Sequence, residues 1–120
     1  MRTKVVIAAA LTLASIAATS PSQASAFFAW EVANVSWGDV LNVRKYPSSQ
    51  SQIQSAYPNG TVLSMTGRCT DGLEMDDIAG LSEWQQRQAV RYRWCEVWHD
   101  PANDGNFVTG WVYGRYIRPQ

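Results

Sequence analysis

The chain is poor in the residues from which most active sites are assembled, with one histidine and two cysteines among its 120 residues. With His99 alone, a Ser-His-Asp or Cys-His arrangement must be built on a single imidazole, and a lone strand histidine is more often a hydrogen-bonded structural residue than a general base. The sequence also lacks a metal-ligand cluster, a phosphate-cradling glycine loop and a pair of catalytic carboxylates. Asp76 and Asp77 are adjacent, so their side chains do not face each other, and they read as caps at a helix start. Asp100, Asn103, Asp104 and Gly105 lack the regular ligand spacing of a calcium loop and read as a turn. The expectation is a non-enzymatic protein without cofactor or metal. No internal repeat or low-complexity tract is present, and no apolar run reaches the roughly 20 residues that crossing a bilayer requires.

The uncharged, mainly apolar stretch of residues 5–18 follows Arg2 and Lys4 and precedes Thr19-Ser20-Pro21 and Ala24-Ser25-Ala26. Residues 1–26 thus have the layout of a secretory signal peptide with cleavage after Ala26, and an uncleaved membrane anchor is the weaker alternative because the run is short. No cysteine follows the run to take a lipid, and no twin-arginine pair precedes it. The product is expected to be secreted or periplasmic. Residues 27–120 are enough for one domain with a modest core. They carry ten acidic and eight basic side chains, a net charge of −2. That balance argues against nucleic acid or anionic lipid as a partner, and a monomer is expected. Cys69 and Cys95 both fall in this part, and in an oxidising compartment they are expected to form a disulfide worth roughly 3 to 4 kcal/mol.

Period-two patterning dominates the rest. Leu41-Asn42-Val43-Arg44 alternates apolar and polar and stops at Tyr46-Pro47-Ser48-Ser49, a strand entering a loop. Pro58-Asn59-Gly60 is a turn, glycine accepting the positive φ it needs, and feeds a strand over residues 61–65. Residues 94–99 predict a third strand and 107–113 a fourth, joined by the turn at 100–105, and residues 30–35 supply another. Short strands at this spacing predict an all-β fold, a small barrel or sandwich. Residues 71–93 are the exception, polar and rich in helix formers. Ser82 and Gln85 form a capping box, and Glu83 pairs with Arg87 one turn on, which predicts a helix over residues 83–92. Ile78 and Leu81, just before it, are expected to pack on the barrel edge. Arg87, Arg91 and Arg93 read as a solvated helix face in preference to an anion site. Asn34-Val35-Ser36 and Asn59-Gly60-Thr61 match the glycosylation acceptor pattern, which matters only in a eukaryotic source.

Together these pieces resemble the bacterial SH3 domains, often called SH3b. The resemblance rests on Leu41-Asn42-Val43-Arg44 followed by Pro47, on Gly60-Thr61-Val62, on Trp94 with Val97 three residues later, and on Gly110-Trp111-Val112 followed by Tyr116-Ile117. These occur in the family's order and cover residues 35–68 and 94–118. The insertion at 71–93 departs from the family, whose members have a short hairpin there. The resemblance implies a small SH3-like barrel that binds cell-wall peptides or protein segments, usually beside a catalytic domain. The expected function is therefore an exported binding module recognising a peptidoglycan peptide or protein segment through an aromatic groove. The alternative is an inhibitor or effector that blocks a partner enzyme.

The residues suggest where such a groove lies. Alternation in the third strand puts Cys95 and Val97 on one face and Trp94, Glu96 and Trp98 on the other. If the first pair faces the core, two tryptophans flank a carboxylate outside, either as a binding surface or as a seat for the inserted helix, and both readings stay open. Trp111, between Val108 and Val112 and next to Gly110, is expected in the core. In the SH3 comparison, Trp94 falls where a tryptophan separates two ligand pockets, and the last aromatic of the closing segment lines the groove. The implied groove residues are Trp94, Trp98, Tyr113 and Tyr116, with Tyr46 at the rim and Glu96 supplying charge.

Overall fold

The computed structural model describes residues 28–120. The signal peptide expected over residues 1–26 lies outside the described residues. Seven strands, β1 (Phe28–Val32), β2 (Leu41–Arg44), β3 (Ile53–Tyr57), β4 (Val62–Cys69), β5 (Trp94–His99), β6 (Val108–Tyr113) and β7 (Ile117–Pro119), form one antiparallel sheet. Their order is β3-β2-β6-β5-β4-β1-β7. A single helix, α1 (Glu83–Val90), and two short 3-10 turns, Met75–Ile78 and Gly114–Tyr116, complete the described chain.

Alternation builds the core from this sheet. Cys95 and Val97 of β5 are fully buried, as are Met65 of β4, Val43 of β2 and Val112 of β6, while their neighbours in sequence point the other way. Buried side chains from every strand except β3 belong to one cluster with Met75, Ile78 and Val90. One face of the sheet and the inserted segment therefore bury a single core between them. The sheet is not closed: β3 and β7 remain as its two edges.

Cys69 and Cys95 are register partners on β4 and β5, with Cα atoms 4.0 Å apart, and their sulfurs are bonded. The pairing between β4 and β5 shifts register between Met65 and Cys69, where Gly67 takes φ +102°. A Cβ on Gly67 would sit 2.9 Å from the Phe28 ring, so glycine satisfies both the backbone and the packing there.

The inserted segment forms as its caps dictate. The Ser82 hydroxyl accepts from the Gln85 amide at 3.2 Å, and the Gln85 side chain accepts from the Ser82 amide at 3.2 Å. The helix docks on β7 and the Gly114–Tyr116 turn, because Gly114 presents no side chain to it: a Cβ there would overlap the Val90 carbonyl. Ile78 is buried, but Leu81 is exposed, since the chain turns outward through Gly80 before α1 begins. The first strand spans 28–32 and not 30–35, because Asn34 adopts a left-handed φ of 64° that breaks the extended run. Phe107 stays exposed outside β6. Trp111 is buried, 8% exposed, but outside the main cluster: it stands opposite Glu96 on the outer face, under the Arg68 guanidinium at 5.5 Å.

Candidate binding site

Three aromatic rings meet at one end of the outer face. Trp94 and Tyr113 are register partners on β5 and β6, which sets their ring centroids 5.3 Å apart. The Gly114–Tyr116 turn then brings Tyr116 back beside Tyr113, centroids 6.4 Å apart. These rings form one wall of an open depression of about 480 Å³. The opposite wall comes from the β1–β2 connection and β2, with Val35, Val40, Leu41, Asp39 and Arg44 among its residues.

Local hydrogen bonds hold that second wall. Asn59, from the β3–β4 turn, bonds both backbone polar groups of Val35. The Asp39 carboxylate accepts from the Val40 amide at 2.8 Å, and the Arg44 guanidinium donates to the Ser51 carbonyl at 2.8 Å. Trp37 stands fully exposed in the same connection, between two residues that line the depression, Ser36 and Asp39. The result is a concave surface with apolar and aromatic walls and a few oriented polar groups, the usual make-up of a ligand pocket.

Not all of the groove residues expected from sequence converge here. Trp94, Tyr113 and Tyr116 do. Trp98 lies four residues further along β5, roughly 13 Å away at strand rise, opposite Ser64 and Thr109, and is 42% exposed. Glu96 accepts from the Thr66 hydroxyl at 3.1 Å beside Trp111 and does not line the depression. Tyr46 is exposed with the Lys45 ammonium 5.6 Å above its ring, and Ser49 of the same loop reaches the rim in its place. The helix contributes no residue to this depression, so α1 does not cover the aromatic wall. Val35, Val40 and Arg44 escaped sequence reasoning; the available signal was the apolar pair Val40-Leu41 entering a strand next to a Trp-Gly-Asp turn.

His99 is buried on the inner side and held at both ring nitrogens. Gln54 Oε1 lies 2.9 Å from Nε2 and can only accept, so the neutral ring carries its proton on Nε2. Nδ1 then accepts from the Tyr57 hydroxyl at 3.0 Å. Burial pushes the imidazole below its usual value, against a smaller opposing pull from Asp100. Asp100 and Asp104 are occupied by the turn itself. Asp100 accepts from the amides of Asp104 and Gly105, and the Asn106 amide holds the Asp104 carboxyl below its ordinary value. Among the described residues, no three histidine, cysteine, aspartate or glutamate side chains are grouped to hold a metal ion. None of the described helices is long and apolar enough to cross a membrane.

No protein-family model, curated protein or solved structure matches this chain.

Proposed function

We propose that residues 28–120 are a non-enzymatic binding module, an elaborated SH3-like barrel of the bacterial type. Its ligand is an extended peptide, either a cell-wall stem peptide or a segment of another protein. The convergence of Trp94, Tyr113 and Tyr116 on one open depression carries this reading. Rigid aromatic rings offer contact area at little entropic cost, and each commonly contributes about 1 kcal/mol or more to binding. Arg44 and Asp39 on the facing wall supply one charge of each sign to orient peptide groups.

The barrel reading is supported by where the motif residues fall. Leu41-Asn42-Val43-Arg44 is β2, Gly60-Thr61-Val62 leads into β4, and Trp94 and Val97 lie on β5. Gly110-Trp111-Val112 lies on β6, and Tyr116-Ile117 joins a short 3-10 turn to the last strand. The disulfide is compatible with an oxidising compartment and with export. Intact-mass measurement of protein recovered outside the cytoplasm is expected to give an N-terminus at Phe27; retention of residues 1–26 contradicts export with cleavage.

Co-sedimentation with purified sacculi, alongside a library of extended peptides, tests the ligand class. Tyr116→Ala is expected to lower binding at least about fivefold, the equivalent of ~1 kcal/mol, in protein that still folds but is less stable, because Tyr116 also packs on the core. Binding by folded Tyr116→Ala equal to that of the parent protein refutes the groove.

A further inference from the structure

A second depression, about 490 Å³ in volume, lies where α1 docks on the end of the chain, and its walls are of different chemistry. Arg87 and Arg91, one helical turn apart, line it from the C-terminal half of α1 and its cap, and Arg115 joins them from the Gly114–Tyr116 turn. Three of the eight basic side chains of residues 28–120 therefore share one concavity in a domain whose overall charge is negative. The carboxylate among its lining residues, Glu83, touches Arg87 only loosely, at 3.8 Å.

Arg91 is the informative member. Its guanidinium lies 5.5 Å over the Tyr92 ring, and its Nε is shielded from solvent with no acceptor among the described residues. A buried guanidinium N–H without an acceptor is costly to maintain, and a planar fork of such donors matches the oxygens of a carboxylate or phosphate. Trp84, 69% exposed, adds a flat apolar surface to the same lining. The two depressions lie on opposite sides of one strip of chain: Val35 and Tyr116 line the aromatic one, and their neighbours Asn34 and Arg115 line this one. The Ala33 amide donates to the Tyr116 carbonyl at 2.8 Å and holds the strip together.

We propose that this basic depression is a second, separate binding site for an oxyanion-bearing ligand, whose carboxylate or phosphate is held by Arg87, Arg91 and Arg115 against Trp84. The site does not depend on the peptide reading of the first depression. Its test is an NMR titration of the exported protein, following arginine Nε–H and tryptophan indole signals. Inorganic phosphate or N-acetylglutamate is added at an ionic strength held constant with chloride. The Arg91 Nε–H and Trp84 indole signals are expected to shift saturably while the Trp94 indole stays in place. Arg115→Gln is expected to weaken the apparent affinity about tenfold, the loss of one charge-assisted hydrogen bond. Glu83→Gln, which removes the competing carboxylate, is expected to strengthen it. Saturation by phosphate alone assigns a phosphate-bearing ligand, by N-acetylglutamate alone a carboxylate one, and by both a site open to either oxyanion. Shifts that merely track the chloride control, or that persist unchanged in both variants, overturn the proposal.

Discussion

Asn59 grips the backbone of Val35 from 24 positions away: its Oδ1 accepts from the Val35 amide at 3.1 Å and its Nδ2 donates to the Val35 carbonyl at 2.7 Å. The β3–β4 turn thereby fixes the connection that forms the second wall of the aromatic depression. Asn59→Ala is expected to cost about 1 kcal/mol of stability, since the bonds are exposed, and to lower ligand affinity more than stability. Chemical denaturation and a binding isotherm on the same variant check this; unchanged affinity would show that the connection is not part of the site.

The disulfide staples the two ends of the insertion. Its 26-residue separation implies about 3.5 kcal/mol of stabilisation through the unfolded chain. The double variant Cys69→Ser, Cys95→Ser is expected to lose roughly that amount in urea denaturation while retaining the sheet by circular dichroism. A loss under about 1 kcal/mol contradicts a constraining role, and peptide mapping that recovers both thiols free contradicts the bond itself.

His99 makes stability depend on pH in a definite direction. Its pKa in the fold lies below the ordinary 6.5, so the unfolded chain takes up the proton first. The stability contributed by the neutral ring is complete above pH 6.5 and is lost as pH falls from there toward the depressed folded value. The slope reaches at most about 1.4 kcal/mol per pH unit. Denaturation midpoints measured between pH 7 and 5 are expected to fall for the parent protein and to flatten over that window in His99→Gln. An unchanged slope in the variant assigns the dependence to other groups.

The elements legible in the sequence are those written in local patterns. The strand over 94–99 follows from strict alternation, the start of α1 from Ser82 and Gln85, and the disulfide from two cysteines in an export context. β3 was not legible, because Ile53-Gln54-Ser55-Ala56-Tyr57 has no apolar alternation. Its contribution is the polar pair Gln54 and Tyr57, which meets His99 across the space left by Gly110. A side chain on Gly110 would run into Gln54 and Val43. β7 is only three residues long and ends on Pro119, too short to carry a pattern. For the site, alternation assigned Trp94, Glu96 and Trp98 to one face, but a shared face says nothing about distance along the strand, and Trp98 therefore falls outside the depression. Tyr46 is close to the site in sequence, yet the tight 46–51 loop, with the Tyr46 amide donating to the Ser51 hydroxyl at 2.8 Å, leaves its ring outside the depression's walls.

The most direct measurement of the central claim uses the tryptophans as separate reporters. Indole N–H signals are followed by NMR while soluble stem-peptide fragments of the cell wall, and then the best peptide from the library, are titrated in. Binding in the aromatic depression predicts a saturable shift of the Trp94 indole, accompanied by Trp37, with Trp98 unmoved. A Trp94 signal that stays in place under both ligands, whether or not Trp98 or Trp84 responds, contradicts it.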